Sequence, residues 1–214
     1  HGILHSFPTR RSSDLPVPPV ADIDRRLAGR AMAAFPWVGL LVGSLAGAVL
    51  WGVAALGGGG LLGAALALSV VALLTGALHL DGLADTADGL GSRKPAPEAL
   101  SIMRKSDIGP MGVAALVLAL LVDGAALSSL AETGGAAAAG ALAVGAMLGR
   151  AVVTLTTVQT ASARQTGFGA LFVGSTARLT AVCTGAAVLV VSAGVGWLVN
   201  GVGGAAMFAG AAIA

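Results

Sequence analysis

Five apolar runs of about twenty residues follow one another along this chain, each closed by a polar or glycine-rich break. They cover residues 35–56, 61–80, 110–130, 136–158 and 179–199, and a sixth run occupies 203–214. At 1.5 Å rise per residue, about twenty helical residues cross a hydrocarbon core about 30 Å thick. The pattern predicts an all-α fold: a polytopic transmembrane helix bundle of about five complete spans plus a truncated sixth. The breaks are the four glycines at 57–60, Thr133-Gly134-Gly135 and Asn200-Gly201. Pro36 stands near the start of the first span, where a missing N–H matters least. Two longer polar stretches, 81–109 and 159–178, separate the second span from the third and the fourth from the fifth.

Composition supports lipid as the solvent. The chain is 56% hydrophobic and 10% charged, with a mean hydropathy of +0.91. Soluble domains carry about 25% charged residues, which this chain lacks for a water-facing surface. The 33 glycines suit close helix–helix approach in a bilayer. A single cysteine, Cys183, excludes a disulfide framework within the chain. A net charge of +2 excludes nucleic acid as an expected partner. Residues 1–15 are polar and unlike the rest, and are read as a non-native leader. Residues 16–214 are then one integral-membrane domain, truncated at its C-terminus.

The placement of the charges sets the topology. Arg25, Arg26 and Arg30 precede span one; Arg93, Lys94, Arg104 and Lys105 lie between spans two and three; Arg164 and Arg178 lie between spans four and five. The alternate loops carry no Lys or Arg. Positive residues mark the cytoplasmic side, so the amino end and both polar stretches are expected there.

The stretch HLDGLADTADG at 79–89 carries the candidate chemistry. Asp81, Asp85 and Asp88 are spaced four and three apart, which puts them on one face of a helix. Three like charges on one stripe repel unless a cation is shared, and hard oxygen ligands suit Mg²⁺ together with substrate phosphates. These three are the expected metal ligands. His79, two residues before Asp81, is a candidate base or phosphate donor. His79, Asp81 and Asp85 are accordingly the catalytic candidates. Residues 98–103 read as a short amphipathic helix that presents Arg104 and Lys105, two candidate phosphate contacts. Asp123 and Arg150 lie inside spans, where a charge is costly and faces protein or a wet cavity. Their different depths make them a poor ion pair, and Arg150 is the better substrate-binding candidate. Arg164, in the loop ARQTGFG, is a further candidate on a flexible backbone.

HLDGLADTADGL, followed by ALSIMRKSDIGPMGVAAL, resembles the adenosylcobinamide-GDP ribazoletransferase family, also called cobalamin-5'-phosphate synthase. LPVP at 15–18, FPWVGLLVG at 35–43 and ARQTGFGALFVGS at 163–175 fit the same family in the same order. The resemblance implies a multi-pass enzyme of the bacterial inner membrane with its site on the cytoplasmic side. It implies a Mg²⁺-dependent transferase that joins adenosylcobinamide-GDP to α-ribazole, or its 5'-phosphate, and releases GMP. On that resemblance Asp81, Asp85 and Asp88 hold metal, with His79 beside them, and Arg104 holds the diphosphate. The expected partners are those two substrates and membrane lipid, with homo-oligomer formation open. Two departures stand out: the chain stops before the Gly- and acid-rich motif in which many relatives end, and its amino end differs. A CDP-alcohol phosphotransferase and a transporter built on Asp123 and Arg150 are the competing readings. The first expects an Arg that is missing after Asp81-Gly82. The second expects charges paired near the midplane, whereas the acids gather at one boundary.

Overall fold

The structure is a computed structural model that describes residues 24–105, 107–158 and 168–213. Among the described residues the regular structure is entirely helical. Four helices are long and apolar enough to cross a membrane, and a bent pair makes a fifth span if its two halves count as one.

Helix α1 runs Arg25–Ala55. Its start is capped by Asp24, whose carboxylate accepts from the Leu27 N–H at 2.7 Å. The basic approach segment is therefore helical, and the helix begins ten residues before the apolar run. Pro36 lies inside it and is buried, a correction to its expected place near a helix start. A helix of 31 residues is about 46 Å long, longer than the hydrocarbon core.

Small residues recur every fourth position on the buried side of α1, at Gly39, Gly43 and Gly47. They face α6, Gly135–Thr156. A Cβ at Gly43 would stand 2.7 Å from the Ala143 Cα, and one at Gly47 2.7 Å from the Ala139 carbonyl oxygen. With no hydrophobic drive between helices in lipid, such backbone approach is what dispersion forces act through. A buried hydrogen bond fixes the register: the Thr154 hydroxyl donates to the Met32 carbonyl at 2.7 Å. Leu50, Ala64, Ala67, Leu127 and Ala138 form a core where α1 and α6 meet the next helices.

The second run departs from expectation. It is not one straight span over 61–80. Helix α2 covers Gly60–Thr75 and α3 covers Leu78–Gly91, with 91° between them. The break is made by Gly76 and Ala77, both left-handed at φ 60° and 57°. The Ala77 N–H reaches back to the Ala72 carbonyl at 2.8 Å, the closing bond of a glycine-terminated helix. Only Thr75 and Gly76 interrupt the apolar run at the bend, too little for periodicity alone to locate it.

Helix α4, Ala96–Ile102, is the expected short helix, and α5, Pro110–Thr133, starts on a proline. Gly134 alone joins α5 to α6, so the two run antiparallel. A five-residue helix α7, Phe168–Phe172, precedes α8, Arg178–Ala211. Helix α8 breaks at Asn200 and Gly201, the turn expected there. Gly196 and Gly204 then meet backbone to backbone. Eight residues of straight helix would hold them about 12 Å apart, so the chain folds back. Large side chains such as Leu73, Leu118, Leu121 and Leu198 are exposed around the bundle, as a lipid-facing surface requires.

Candidate functional site

Helix α3 carries the acid stripe and is anchored through one member of it. The Asp88 carboxylate accepts from the Gly109 N–H at 2.6 Å and the Gly112 N–H at 2.8 Å. Helix α5 has no side-chain cap of its own. Asp88, 21 residues upstream, satisfies two donors that the first turn leaves open, and its charge meets the positive end of the helix dipole. The two glycines make this possible. A Cβ on Gly112 would stand 3.0 Å from the Ala84 carbonyl oxygen and collide with the Asp88 carboxylate, and one on Gly109 would also meet that carboxylate. Gly109-Pro110-Met111-Gly112 is thus a socket for Asp88.

Asp81 and Asp85 lie one turn apart on the same stripe, Asp81 exposed and Asp85 half-buried. Neither accepts a hydrogen bond among the described residues, so their oxygens are available to a ligand. Helix α4 packs across the end of α3, where a Cβ on Gly89 would meet the Met103 side chain at 2.6 Å. Arg104 and Lys105 follow α4 and are exposed, and the Arg104 Nε–H donates to the Leu100 carbonyl at 3.1 Å. Lys94–Glu98, at 3.3 Å, is the ion pair found among the described residues, so neither Arg104 nor Lys105 is paired with the acid stripe.

His79 shares the helix with the acids but not their face. At 100° per residue it stands about 120–180° round the axis from Asp81, Asp85 and Asp88. Its Nδ1 is 3.1 Å from the Thr75 hydroxyl, which itself donates to the Val71 carbonyl at 2.8 Å. With that hydroxyl hydrogen turned to Val71, a neutral His79 ring would donate from Nδ1 and leave Nε2 as an acceptor.

Nε2 belongs to a side chain that lines a cavity of about 800 Å³ between α1, α2, α5 and α6. The walls are apolar except for Thr75, His79, Asp123 and Arg150. Arg150 bonds its own helix, Nη1 to the Ala146 carbonyl at 3.0 Å, and its guanidinium lies 5.8 Å from the centre of the Phe35 ring. Asp123 and Arg150 are expected at different depths of the bundle. The structure agrees that they form no ion pair and adds that they line one cavity. Arg164 lies outside the described residues, as do residues 1–15.

Comparison with known proteins places this architecture. The family model described as cobalamin-5-phosphate synthase matches residues 5–214. The chain belongs to the cobalamin-5-phosphate synthase family. It is 46% identical over 120 residues to an adenosylcobinamide-GDP ribazoletransferase of Rhizobium etli (strain CIAT 652), covering 55% of this chain and 46% of that protein. It is 41% identical over 186 residues to one of Frankia casuarinae, covering 82% and 66%, and 38% identical over 177 residues to one of Citrobacter koseri, covering 81% and 70%. The matched part thus spans from about half to somewhat over two thirds of these relatives' length. No solved structure matches.

The family resemblance implies a divalent cation, and the donor set bears on it. Among the described residues no three His, Cys, Asp or Glu side chains converge on one point. Both Asp88 oxygens face amides. Asp81 and Asp85 remain, two hard carboxylates with open oxygens. That fits a cation held by one or two carboxylates and completed by water and phosphate, and it does not fit a closed protein cage.

Proposed function

We propose that this member of the cobalamin-5-phosphate synthase family acts as an adenosylcobinamide-GDP ribazoletransferase. It joins adenosylcobinamide-GDP to α-ribazole, or its 5'-phosphate, at the cytoplasmic face of a bacterial inner membrane. The observation that carries the reading is the pair of uncommitted carboxylates, Asp81 and Asp85, on a helix that Asp88 clamps to α5. The names of the relatives supply the substrates.

In the reaction a ribazole hydroxyl oxygen bonds to the phosphorus attached to cobinamide. The bond from that phosphorus to the GMP oxygen breaks, GMP leaves with the bonding electrons, and the hydroxyl proton passes to a base or to water. Mg²⁺, when bound, supplies neutralisation of the diphosphate and of the charge on the leaving oxygen. Asp81 and Asp85 would hold that ion, and Asp88 fixes the helix that carries them. Arg104 and Lys105, exposed after α4, offer the diphosphate a bidentate and a point contact. Positioning and charge stabilisation carry most of a phosphoryl transfer, so a rigid α3 is central.

The test is reconstitution of the full-length protein in vesicles with adenosylcobinamide-GDP, α-ribazole and Mg²⁺. Release of GMP with formation of the cobalamin product is the expected outcome. Absence of both overturns the proposal.

A further inference from the structure

Arg150 sits where an arginine ordinarily turns outward, yet it turns inward. It is six residues from the end of α6, about 9 Å from the basic end of the bundle. Long cationic side chains near a helix end extend towards water. Arg150 instead reaches back to Ala146, a full turn deeper, and lies against Phe35. Asp123, on the same cavity, is thirteen residues into α5, about 20 Å from that end. Neither has an oppositely charged partner among the described residues. Charges at such depth in a membrane protein mark a substrate site or a wet cavity.

The occupant must therefore bring an anion to Arg150, an apolar body for the walls, and a hydrogen-bond donor for Asp123. Size narrows it further. A cavity of about 800 Å³ takes a small molecule, the usual range being roughly 300–1,000 Å³. A corrinoid carrying GDP is far larger. A nucleoside monophosphate with an apolar aromatic base meets every condition: phosphate, flat apolar ring and ribose hydroxyls.

We propose that this cavity is the subsite for the ribazole substrate, with Arg150 holding the 5'-phosphate and thereby setting the preference for the phosphorylated nucleoside. The inference rests on the ribazoletransferase reading. It also gives the two substrates opposite sides of α3. The corrinoid diphosphate takes the acid stripe, and the nucleoside enters past Thr75 and His79.

Two variants of the full-length enzyme in vesicles test this. Arg150→Gln removes the anion contact. Gly145→Leu fills the cavity, because a Cβ at Gly145 meets nothing within 4 Å and a leucine extends into open space without displacing the backbone. The readouts are KM values for α-ribazole, α-ribazole 5'-phosphate and adenosylcobinamide-GDP, and direct binding of either nucleoside, without corrinoid, by the fluorescence of its base. Arg150→Gln is expected to weaken the 5'-phosphate about tenfold or more and to leave unphosphorylated ribazole within about twofold. Gly145→Leu is expected to weaken both nucleosides and spare adenosylcobinamide-GDP. Unchanged nucleoside binding in Gly145→Leu, or equal loss of both nucleosides in Arg150→Gln, overturns the assignment even while the enzyme turns over. A competing effect of phosphatidylglycerol content on nucleoside binding, abolished by Arg150→Gln, would give the cavity to lipid instead. Wild-type protein that binds the nucleoside but releases no GMP would sink the enzymatic reading and leave the binding site standing.

Discussion

The two faces of α3 are built for different work. One face carries Asp81, Asp85 and Asp88, is polar, and is held against the start of α5 by the two hydrogen bonds that the Asp88 carboxylate accepts from the Gly109 and Gly112 N–H groups. The other carries His79, is bonded to Thr75 of the preceding helix, and looks into an apolar cavity beside Arg150. Residues adjacent in sequence thus serve opposite sides of one helix. Proximity along a motif is not proximity in a site: His79 and Asp81 are two residues apart and about 160° apart round the axis.

The comparison breaks most decisively at Asp85. Asp85→Asn keeps the shape and removes the charge, so a cation-holding role predicts loss of turnover by a hundredfold or more, with little change in folding. Raised Mg²⁺ should recover part of the rate. Turnover near wild type, measured as GMP release, would remove the acid stripe from the chemistry.

Asp88 should respond differently from its neighbour. An asparagine there keeps one acceptor oxygen, but its amide group offers hydrogens to a backbone N–H where an acceptor is needed. Two charge-assisted bonds at a helix N-terminus are lost or weakened, a cost of about 2–4 kcal/mol. Asp88→Asn should therefore lower the unfolding midpoint in detergent, and it should lower turnover without raising the Mg²⁺ requirement. A raised Mg²⁺ requirement at unchanged stability would return Asp88 to the ligand set that its spacing suggested.

Much of this was legible in the chain before the structure. Runs of twenty apolar residues announced the helices, because lipid demands that every backbone group be satisfied within its segment. The acid stripe was legible because 0, 4, 7 is a helical spacing. The opposite placement of His79 was legible too, since an offset of two residues cannot share a helix face. Three features were not legible. The bend at Gly76-Ala77 is marked in the apolar run only by Thr75 and Gly76, a pair that a continuous membrane helix also tolerates. The socket for Asp88 forms across 21 residues, and only the structure shows that Gly109 and Gly112 leave room for it. The convergence of Asp123 and Arg150 on one cavity depends on how α5 and α6 face α1 and α2.

His79 offers the next test in size. A general base contributes about 10²–10⁴ in rate, whereas a side chain that lines a substrate cavity contributes far less to turnover. His79→Ala is expected to lower kcat by less than about tenfold and to act mainly on the nucleoside KM. A loss of a hundredfold or more in kcat at saturating nucleoside would put His79 at the reacting hydroxyl and collapse the separation of the two faces.

The smallest effect belongs to the bend that sets which way each face looks. Ala77 holds φ at 57°, a left-handed conformation that costs an alanine about 1–2 kcal/mol and a glycine almost nothing. Replacing it with glycine removes that strain but also gives the unfolded chain more freedom, which offsets roughly half of the gain. Ala77→Gly should therefore raise stability by under about 1 kcal/mol, read as a small upward shift of the unfolding midpoint in detergent, with turnover unchanged. A gain in stability with lost turnover would be the more instructive failure. The bend turns α3 by 91° from α2, and the Cβ at position 77 stiffens that corner. If a freer corner slows the reaction, the strain at Ala77 is what keeps the acids and the cavity on their respective sides.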